Sequence, residues 1–480
     1  MKLKKIIALL TLTILLAVCK DGQQAAKVSK EKIEQKPNII FIMADDLGYA
    51  DISPYGQKTI QTPFLEQMAQ EGIRFTQHYA GNTVCAPSRC ALMTGYHMGN
   101  AQIRGNGMEP KGGQPPITPD AVTVAELLKT AGYETALIGK WGLGNDETSG
   151  SPLKQGFDSY YGYLGQVLAH NYYPEYLLRN GKKELLRNKV NYRDSTEWHK
   201  GLGSHSEEQM EYSHDLFIKD ALGFLDKDRE NPFFLYLPFT IPHDNGEAPK
   251  GFRMEVPDLG PYANEDWPRD TKAYAAMITR MDKGIGQLMA KLKEKGIDEN
   301  TIVFFTSDNG PMPGEHFTEK FDSNGLLKGG KRDLYEGGIR VPFIARWPGR
   351  IASNKQSDHI SAFWDFLPTA CELADIPVPQ KIDGISYLPA LTKKEQPEHE
   401  YVYWEFPEQG YSVALRKGQW KAVRRNMNTD PNGPIELYDL EEDLGEENNV
   451  AEKNPETVKE LTGLLAEAHT KSEQFPMPGE

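Results

Sequence analysis

The sequence predicts an α/β fold, with a large, mostly parallel sheet flanked by helices and a small C-terminal antiparallel sheet with a helix. Short apolar runs typical of buried strands alternate with amphipathic helical stretches up to residue 306. From about residue 396, short strands separated by Gly, Asn and Asp turns precede a helix that begins at residue 455. We therefore predict a main domain over residues 37–395 and an antiparallel subdomain over residues 396–480.

Four apolar runs predict the central strands, and polar groups follow each of them. Helical stretches separate the runs, and residues 150–205, rich in Gly, Tyr and Asn, are predicted to form a long insertion over one sheet edge. Ligands bind at the carboxyl ends of strands in open α/β sheets, so the groups after these runs are candidates for a site. The runs are residues 37–43, 134–138, 232–238 and 301–306, and the groups are Asp45-Asp46, Lys140, His243 and Asp308-Asn309.

The overall charge excludes one class of function. The chain of 480 residues carries 54 basic and 68 acidic residues, a formal charge of −14. Such an acidic balance argues against a protein that tracks nucleic-acid phosphates. An anionic ligand would therefore need a local cluster of cations.

The first 19 residues predict an exported protein. Three lysines precede an apolar run from Ile6 to Val18, a length that suits a signal peptide better than a membrane span. The run ends at Cys19 in a sequence that resembles a bacterial lipobox, which predicts a lipid anchor there. Polar residues 20–36 would then be a tether, and the protein would be periplasmic or held at the outer membrane, touching the membrane only through that anchor.

The three remaining cysteines do not predict a disulfide framework. Cys85, Cys90 and Cys371 are too few for one, and no CxxC pair of a structural zinc site is present. We therefore assume no bridge among them.

Residues 82–95 place one of these cysteines at a predicted helix start. Pro87 suits the first helical position and Gly95 ends the run, so Cys85 would lie just before the helix. The free N–H groups and partial positive charge of a helix N-terminus suit an oxyanion such as sulfate or phosphate. A buried, structural cysteine is the alternative interpretation.

The same stretch resembles a family signature. Cys85-Ala-Pro-Ser-Arg89 followed by Thr94-Gly95 is similar to the Cys-x-Pro-Ser-Arg-x-x-x-x-Thr-Gly motif of the formylglycine-dependent sulfatases, here of the arylsulfatase-like bacterial carbohydrate type. The resemblance implies an alkaline-phosphatase-like fold. It also implies that a formylglycine-generating maturation enzyme oxidises Cys85 to Cα-formylglycine, whose hydrated gem-diol is the nucleophile.

The acidic strand ends predict a metal site. Asp45, Asp46, Asp308 and Asn309 offer only oxygen ligands, which suit calcium or magnesium better than zinc. Two ordinary acidic turns are the alternative. The resemblance assigns these four residues to one Ca²⁺ ion, which would also bind an oxygen of residue 85.

The resemblance further assigns the groups around the sulfate. Arg89 would steady the diol, Lys140 and Lys331 would bind sulfate, and His243 would be the general acid. The implied reaction is attack of a diol oxygen on sulfur, loss of the alcohol with a proton from His243, and C–O cleavage that releases sulfate and restores the aldehyde.

One position departs from the family pattern. Many sulfatases read Gly-Lys-Trp-His-Leu-Gly where this chain has Gly142 in place of the histidine, which usually helps sulfate to leave. His170 and His97 are candidates to replace it. We prefer His170, for which a structural or sugar-binding role is equally open.

The substrate predicted from the resemblance is a sulfated saccharide, with a sulfated galactose or N-acetylgalactosamine preferred. Tyr172, Tyr173, Trp404 and Tyr411 would either stack on sugar rings or be ordinary half-buried aromatics. Two alternatives stay open: a formylglycine-dependent phosphonate monoester or phosphodiester hydrolase, and a non-catalytic, glycan-binding surface lipoprotein.

Overall fold

The computed structural model describes residues 35–107, 115–192 and 203–480. The predicted signal peptide, with Cys19, and all of the tether before residue 35 lie outside the described residues. Residues 36–480 form one compact unit, so the boundary between residues 395 and 396 stays a prediction. Within the described ranges, no helix is long and apolar enough to cross a membrane.

The strands are numbered along the chain. They are β1 (Asn38–Ala44), β2 (Ile73–Phe75), β3 (His78–Tyr79), β4 (Glu134–Lys140), β5 (Ser159–Tyr163), β6 (Tyr176–Arg179), β7 (Lys182–Leu185), β8 (Lys189–Tyr192), β9 (Ser204–Glu208), β10 (Phe233–Pro238), β11 (Thr301–Ser307), β12 (Phe343–Arg346), β13 (Lys355–Ser357), β14 (Ser361–Ala362), β15 (Val402–Phe406), β16 (Ser412–Lys417), β17 (Trp420–Arg424) and β18 (Glu436–Asp439).

The helices are numbered in the same way. They are α1 (Pro63–Gln70), α2 (Cys85–Thr94), α3 (Val124–Thr130), α4 (Ser213–Asp226), α5 (Arg269–Glu294), α6 (His316–Phe321), α7 (Glu336–Ile339), α8 (Phe366–Leu373), α9 (Leu388–Leu391) and α10 (Pro455–Glu467).

A mixed sheet forms the centre of the protein. Among the described residues it has ten strands, in the order β13-β2-β12-β11-β1-β10-β4-β5-β6-β7. The four strands predicted from apolar runs, β11, β1, β10 and β4, are its parallel centre. All residues of β1, β10 and β11 are buried, because helices cover both faces of a parallel sheet and leave no side for polar residues.

The register of the central strands brings distant polar groups together. Ala44 at the end of β1 lies beside Ser307 at the end of β11. The N–H of Asp308 then donates to the carbonyl of Ala44 at 3.1 Å. The two acidic pairs that follow these strands are therefore neighbours, although more than 250 residues separate them in sequence.

The region of residues 150–205 differs from the predicted insertion. β5 pairs parallel with β4, and β6 and β7 continue the sheet in antiparallel pairing, while β8 and β9 form a separate hairpin. The glycines and polar residues of this region suggested loops. Its tyrosines are strand-forming residues, however, and Tyr160, Tyr161 and Tyr163 of β5 are buried.

A buried carboxylate joins two of the helices. Asp282 of α5 accepts the backbone N–H groups of Phe64 and Leu65 at 3.1 and 2.7 Å. These are two of the amides that the first turn of α1 leaves without an intrahelical partner. A side chain of the longest helix therefore caps α1 from outside.

The predicted antiparallel subdomain contains a four-stranded sheet, β15-β16-β17-β18, with α10 packed against β16. A buried ionic network connects it to the main sheet region. Lys421 of β17 lies 2.9 Å from both Glu336, the first residue of α7, and Glu446, and all three are fully buried. Glu446 also accepts the backbone N–H of Glu336 at 2.6 Å.

Replacing Lys421 by methionine is expected to destabilise the protein strongly. Two carboxylates would lose their shared cation in a buried place, which costs about 3–5 kcal/mol. Urea unfolding followed by circular dichroism measures the difference in unfolding free energy between the variant and the wild type.

Lys417→Met is the matched control. Lys417 lies on β16 of the same sheet and pairs with the exposed Glu460 at 2.8 Å, so its loss should cost less than about 1 kcal/mol. Equal destabilisation by the two substitutions would contradict a special role of the buried network.

Candidate active site

The carboxyl ends of the central strands converge on a buried acidic cluster. It consists of Asp45, Asp46, Asp308 and Asn309, none of which is more than 4% exposed. The N–H of Asp46 donates to Asp308 Oδ1 at 3.2 Å, and Asn309 Nδ2 donates to Asp46 Oδ1 at 2.7 Å. The structure therefore brings the four predicted metal ligands together.

Three buried cations face the three carboxylates. Lys140 Nζ at the end of β4 lies 2.7 Å from Asp45 Oδ2, and Lys331 Nζ lies 2.7 Å from Asp46 Oδ2. Arg89 Nη2 lies 2.7 Å from Asp308 Oδ2. Its guanidinium also donates to the carbonyl of Lys140, so the hydrogen bonds of Arg89 are with the cluster and the end of β4.

Burial and charge act against each other on these carboxylates. Burial opposes the ionisation of Asp45 and Asp46, yet the neighbouring charges, above all Lys140 and Lys331 respectively, hold both pKa values below the usual range. Burial, together with the charge of Asp45, raises the pKa of Asp308 to about 7. One carboxylate is thus poised to take up a proton unless further positive charge is near.

The donor set fits a hard cation. Asp45 Oδ1 and Asn309 Oδ1 are buried and have no hydrogen-bond partner among the described residues. Ligand atoms of Asp45, Cys85 and Asp308 all lie within 4.8 Å of one another. Buried oxygens without a donor are costly unless a cation binds them, and oxygen-rich sites favour calcium or magnesium.

The predicted nucleophile begins a buried helix. Cys85 is the first residue of α2, so the prediction that the helix starts at Pro87 is wrong by two residues. Ser88 donates to the carbonyl of Asp308 at 2.6 Å, which fixes the helix against the end of β11. Burial raises the pKa of the Cys85 thiol, so an unmodified Cys85 is a poor thiolate nucleophile.

Asn106 is a residue that the sequence analysis missed. Its Oδ1 accepts the N–H of Ala86 at 3.2 Å, and therefore occupies one of the amides that the helix start was predicted to offer to an anion. Glu408, from the region of the antiparallel sheet, accepts the N–H of Asn106 at 2.7 Å. A cap from 20 residues away leaves no signal in the local sequence.

His243 lies at the edge of the acidic cluster, and both of its ring nitrogens are hydrogen-bonded. Its Nδ1 donates to the carbonyl of Asp244 at 2.6 Å, so its Nε2 is free to accept from Lys331 Nζ at 3.0 Å. Burial, together with the charge of Lys331, lowers the pKa of His243 to about 4. The ring is therefore neutral near pH 7. Lys331 donates a hydrogen bond to it but keeps its own proton, because burial is outweighed by the charge of Asp46, which raises the pKa of Lys331.

A cavity of about 320 Å³ opens above Cys85. His170, from the predicted insertion, lies in its wall and stacks on His243 with ring centroids 4.8 Å apart. Its Nδ1 lies 3.0 Å from Glu247. The other lining residues that bear on the site are Gln166, Lys331 and Arg332.

Some predicted site residues lie elsewhere. His97 packs on Trp364 and lies 3.7 Å from Asp383, outside the cavity lining, so it is not placed to replace a histidine at position 142. The four aromatic residues for which sugar stacking was one of two alternatives are at most 3% exposed, so the structure favours the other alternative, aromatics packed in the protein. They are Tyr172, Tyr173, Trp404 and Tyr411.

Two of these aromatics have structural roles instead. The hydroxyl of Tyr172 donates to the carbonyl of Thr240 at 2.8 Å, in the segment that leads to His243. Trp404 Nε1 donates to the carbonyl of Ala80 at 2.9 Å, just before α2. Both interactions hold segments that flank the site.

Comparisons with known proteins agree with this geometry. The family model described as sulfatase matches residues 37–376, and a model described as the C-terminal region of N-sulphoglucosamine sulphohydrolase matches residues 329–472. The N-acetylgalactosamine-6-O-sulfatase of Bacteroides thetaiotaomicron is 28% identical over 98% of this chain and 100% of its own length. Human arylsulfatase A is 32% identical over 90% of this chain and 87% of its own length.

Solved structures give the same result for the fold. The crystal structure of Ps i-CgsB in complex with k-i-k-neocarrahexaose superposes with a TM-score of 0.75 at 30% identity, covering 93% of this chain and 94% of that chain. The predicted alkaline-phosphatase-like sulfatase fold is thereby confirmed. The chain belongs to the sulfatase family, and it is an enzyme of the sulfuric ester hydrolase class.

Proposed function

We propose that the enzyme removes sulfate from a sulfated saccharide, with a sulfated galactose or N-acetylgalactosamine as the preferred substrate. The observation that carries this is the cavity above Cys85, where Lys331 and His243 meet next to a buried acidic cluster. Similar proteins are named N-acetylgalactosamine-6-sulfatases, and a structure 25% identical to this chain holds D-glucosamine-2-N,6-O-disulfate.

The proposed nucleophile is residue 85 after conversion by a formylglycine-generating enzyme. The converted side chain supplies an oxygen nucleophile and returns to the aldehyde when sulfate leaves. An unmodified, buried thiol cannot do this. The first turn of α2 and the bond from Ser88 to Asp308 orient this position toward the cavity. Lys140 and Lys331 place positive charge where the sulfate oxygens would lie.

The acidic cluster is the proposed site of one Ca²⁺ ion. Asp45, Asp46, Asp308 and Asn309 would hold it, and it would supply Lewis-acid charge next to the sulfate. The unpaired oxygens of Asp45 and Asn309 support this assignment.

Export and anchoring are a further proposal. Residues 1–19 have the pattern of a lipoprotein signal peptide that ends at Cys19. An enzyme held outside the inner membrane would meet polymeric saccharides that do not enter the cell.

The substrate class is tested with matched esters. We expect matured enzyme to have a larger kcat/KM for a sulfate monoester of a galactose or N-acetylgalactosamine derivative than for a phosphodiester or phosphonate monoester with the same leaving group. The assays measure released sulfate and released alcohol. A preference for phosphorus would instead support the phosphonate monoester or phosphodiester hydrolase.

Calcium is expected to stabilise the protein. A ligand that binds only the folded state, at a free concentration 100 times its Kd, raises the free energy of unfolding by about 2.7 kcal/mol. Calcium added to chelator-treated protein should therefore raise the melting temperature. Asn309→Ala removes one ligand oxygen without changing charge and should reduce this increment.

Asp282→Asn is the control for calcium binding. It alters a buried carboxylate that caps α1, so it should lower the stability of the metal-free protein and leave the calcium increment unchanged. If calcium raises the melting temperature of Asn309→Ala as much as that of the wild type, the cluster is not the binding site.

His243→Ala is expected to reduce kcat by about 10²- to 10⁴-fold, because His243 is the proposed general acid once the negative charge of the bound sulfate raises its pKa, and the loss of a general acid typically has this effect. The loss should be smallest with substrates whose leaving group is a good phenolate, which needs no proton. His97→Gln, outside the cavity, is the control. A loss of less than about tenfold with a saccharide substrate would remove His243 from the acid role.

A further inference from the structure

Gln166 is a buried amide in the wall of the active-site cavity. It lies after β5, just before the short turn that carries His170, and it is 6% exposed. It lines the cavity together with Cys85, Lys331 and His243. Neither its Nε2 nor its Oε1 has a hydrogen-bond partner in the part of the chain that the structure describes.

A buried amide without partners is unfavourable. Leaving one polar group unsatisfied costs about 1–3 kcal/mol, and a glutamine offers two donors and one acceptor. Packing alone would be better served by leucine or methionine. The combination of burial, free hydrogen-bonding groups and a position on the cavity wall therefore indicates a ligand.

Gly142 makes room for this amide. A Cβ atom at residue 142 would lie 2.3 Å from Gln166 Nε2 and 3.6 Å from Arg89 Cδ. Residue 142 also has φ +83°, a conformation that favours glycine. Gln166 thus fills the space over Gly142, beside the stem of Arg89, which lies one helical turn after Cys85.

We propose that Gln166 is a substrate-binding residue that donates N–H hydrogen bonds to the sulfate group of the substrate. This proposal rests on the proposed sulfatase reaction at residue 85. Lys331 would hold the sulfate by charge, while the amide fixes its rotation from the side of Gly142. An amide does not take up a proton near pH 7, so Gln166 binds and orients without acting as a base.

The experiment is a calorimetric titration of inorganic sulfate into calcium-loaded protein that still carries the Cys85 thiol. Binding is thereby measured without turnover. A hydrogen bond to a charged group contributes enough that Gln166→Leu should weaken sulfate binding about tenfold or more. Gln166→Glu, which keeps the shape but adds a negative charge, should weaken it further.

Gln155→Leu is the matched control. Gln155 is equally buried, donates to the carbonyl of Ser149 at 2.9 Å and lies outside the cavity lining, so its loss should not change sulfate affinity. The melting temperature of each variant shows whether it folds. We expect Gln166→Leu to be at least as stable as the wild type, since it replaces an unsatisfied amide by an apolar side chain.

Lys331→Ala separates the role of Gln166 from the proposed sulfatase function. If it weakens sulfate binding but Gln166→Leu does not, the inference about Gln166 is overturned and the proposed function stands. If the wild type does not bind sulfate at all, both are overturned. In matured enzyme, we expect Gln166→Leu to lower kcat/KM for a sulfated saccharide, while Gln155→Leu leaves it unchanged.

Discussion

The structure depends on the burial of three carboxylates at one edge of the central sheet. Removing such charges from water costs several kcal/mol each unless cations lie beside them. Lys140, Lys331 and Arg89 meet this requirement from a strand end, a loop and a helix, so the acidic cluster fixes how these elements pack. The unpaired oxygen of Asp45 and the raised pKa of Asp308 leave the cluster able to take further positive charge, which a bound divalent cation would provide.

The chemistry follows from this arrangement. The helix that begins at Cys85 is fastened to the end of β11, so residue 85 faces both the cluster and the cavity. The loop of Lys331 leads into α7, whose first residue, Glu336, is held by Lys421 of the antiparallel sheet. Because Lys331 contacts both Asp46 and His243, the C-terminal sheet contributes to the positions of the proposed sulfate-binding lysine and the proposed general acid.

Long-range order was predictable where strong local patterns existed. The apolar runs predicted the four central strands, and the strand-end rule predicted that Asp45 and Asp308 would meet. Contacts between distant side chains were not predictable, because neither the cap from Asn106 nor the network around Lys421 has a local signature. Gln166 was missed since glutamine in a glycine-rich stretch predicts only a surface loop.

The mass of the peptide that contains residue 85 tests most directly whether this cysteine becomes the formylglycine nucleophile. The protein is produced together with a formylglycine-generating enzyme, digested and compared with protein produced without it. We expect a residue-85 peptide in which the thiol is replaced by an aldehyde, in proportion to the sulfatase activity of each preparation. An intact thiol at Cys85 in fully active protein would contradict it.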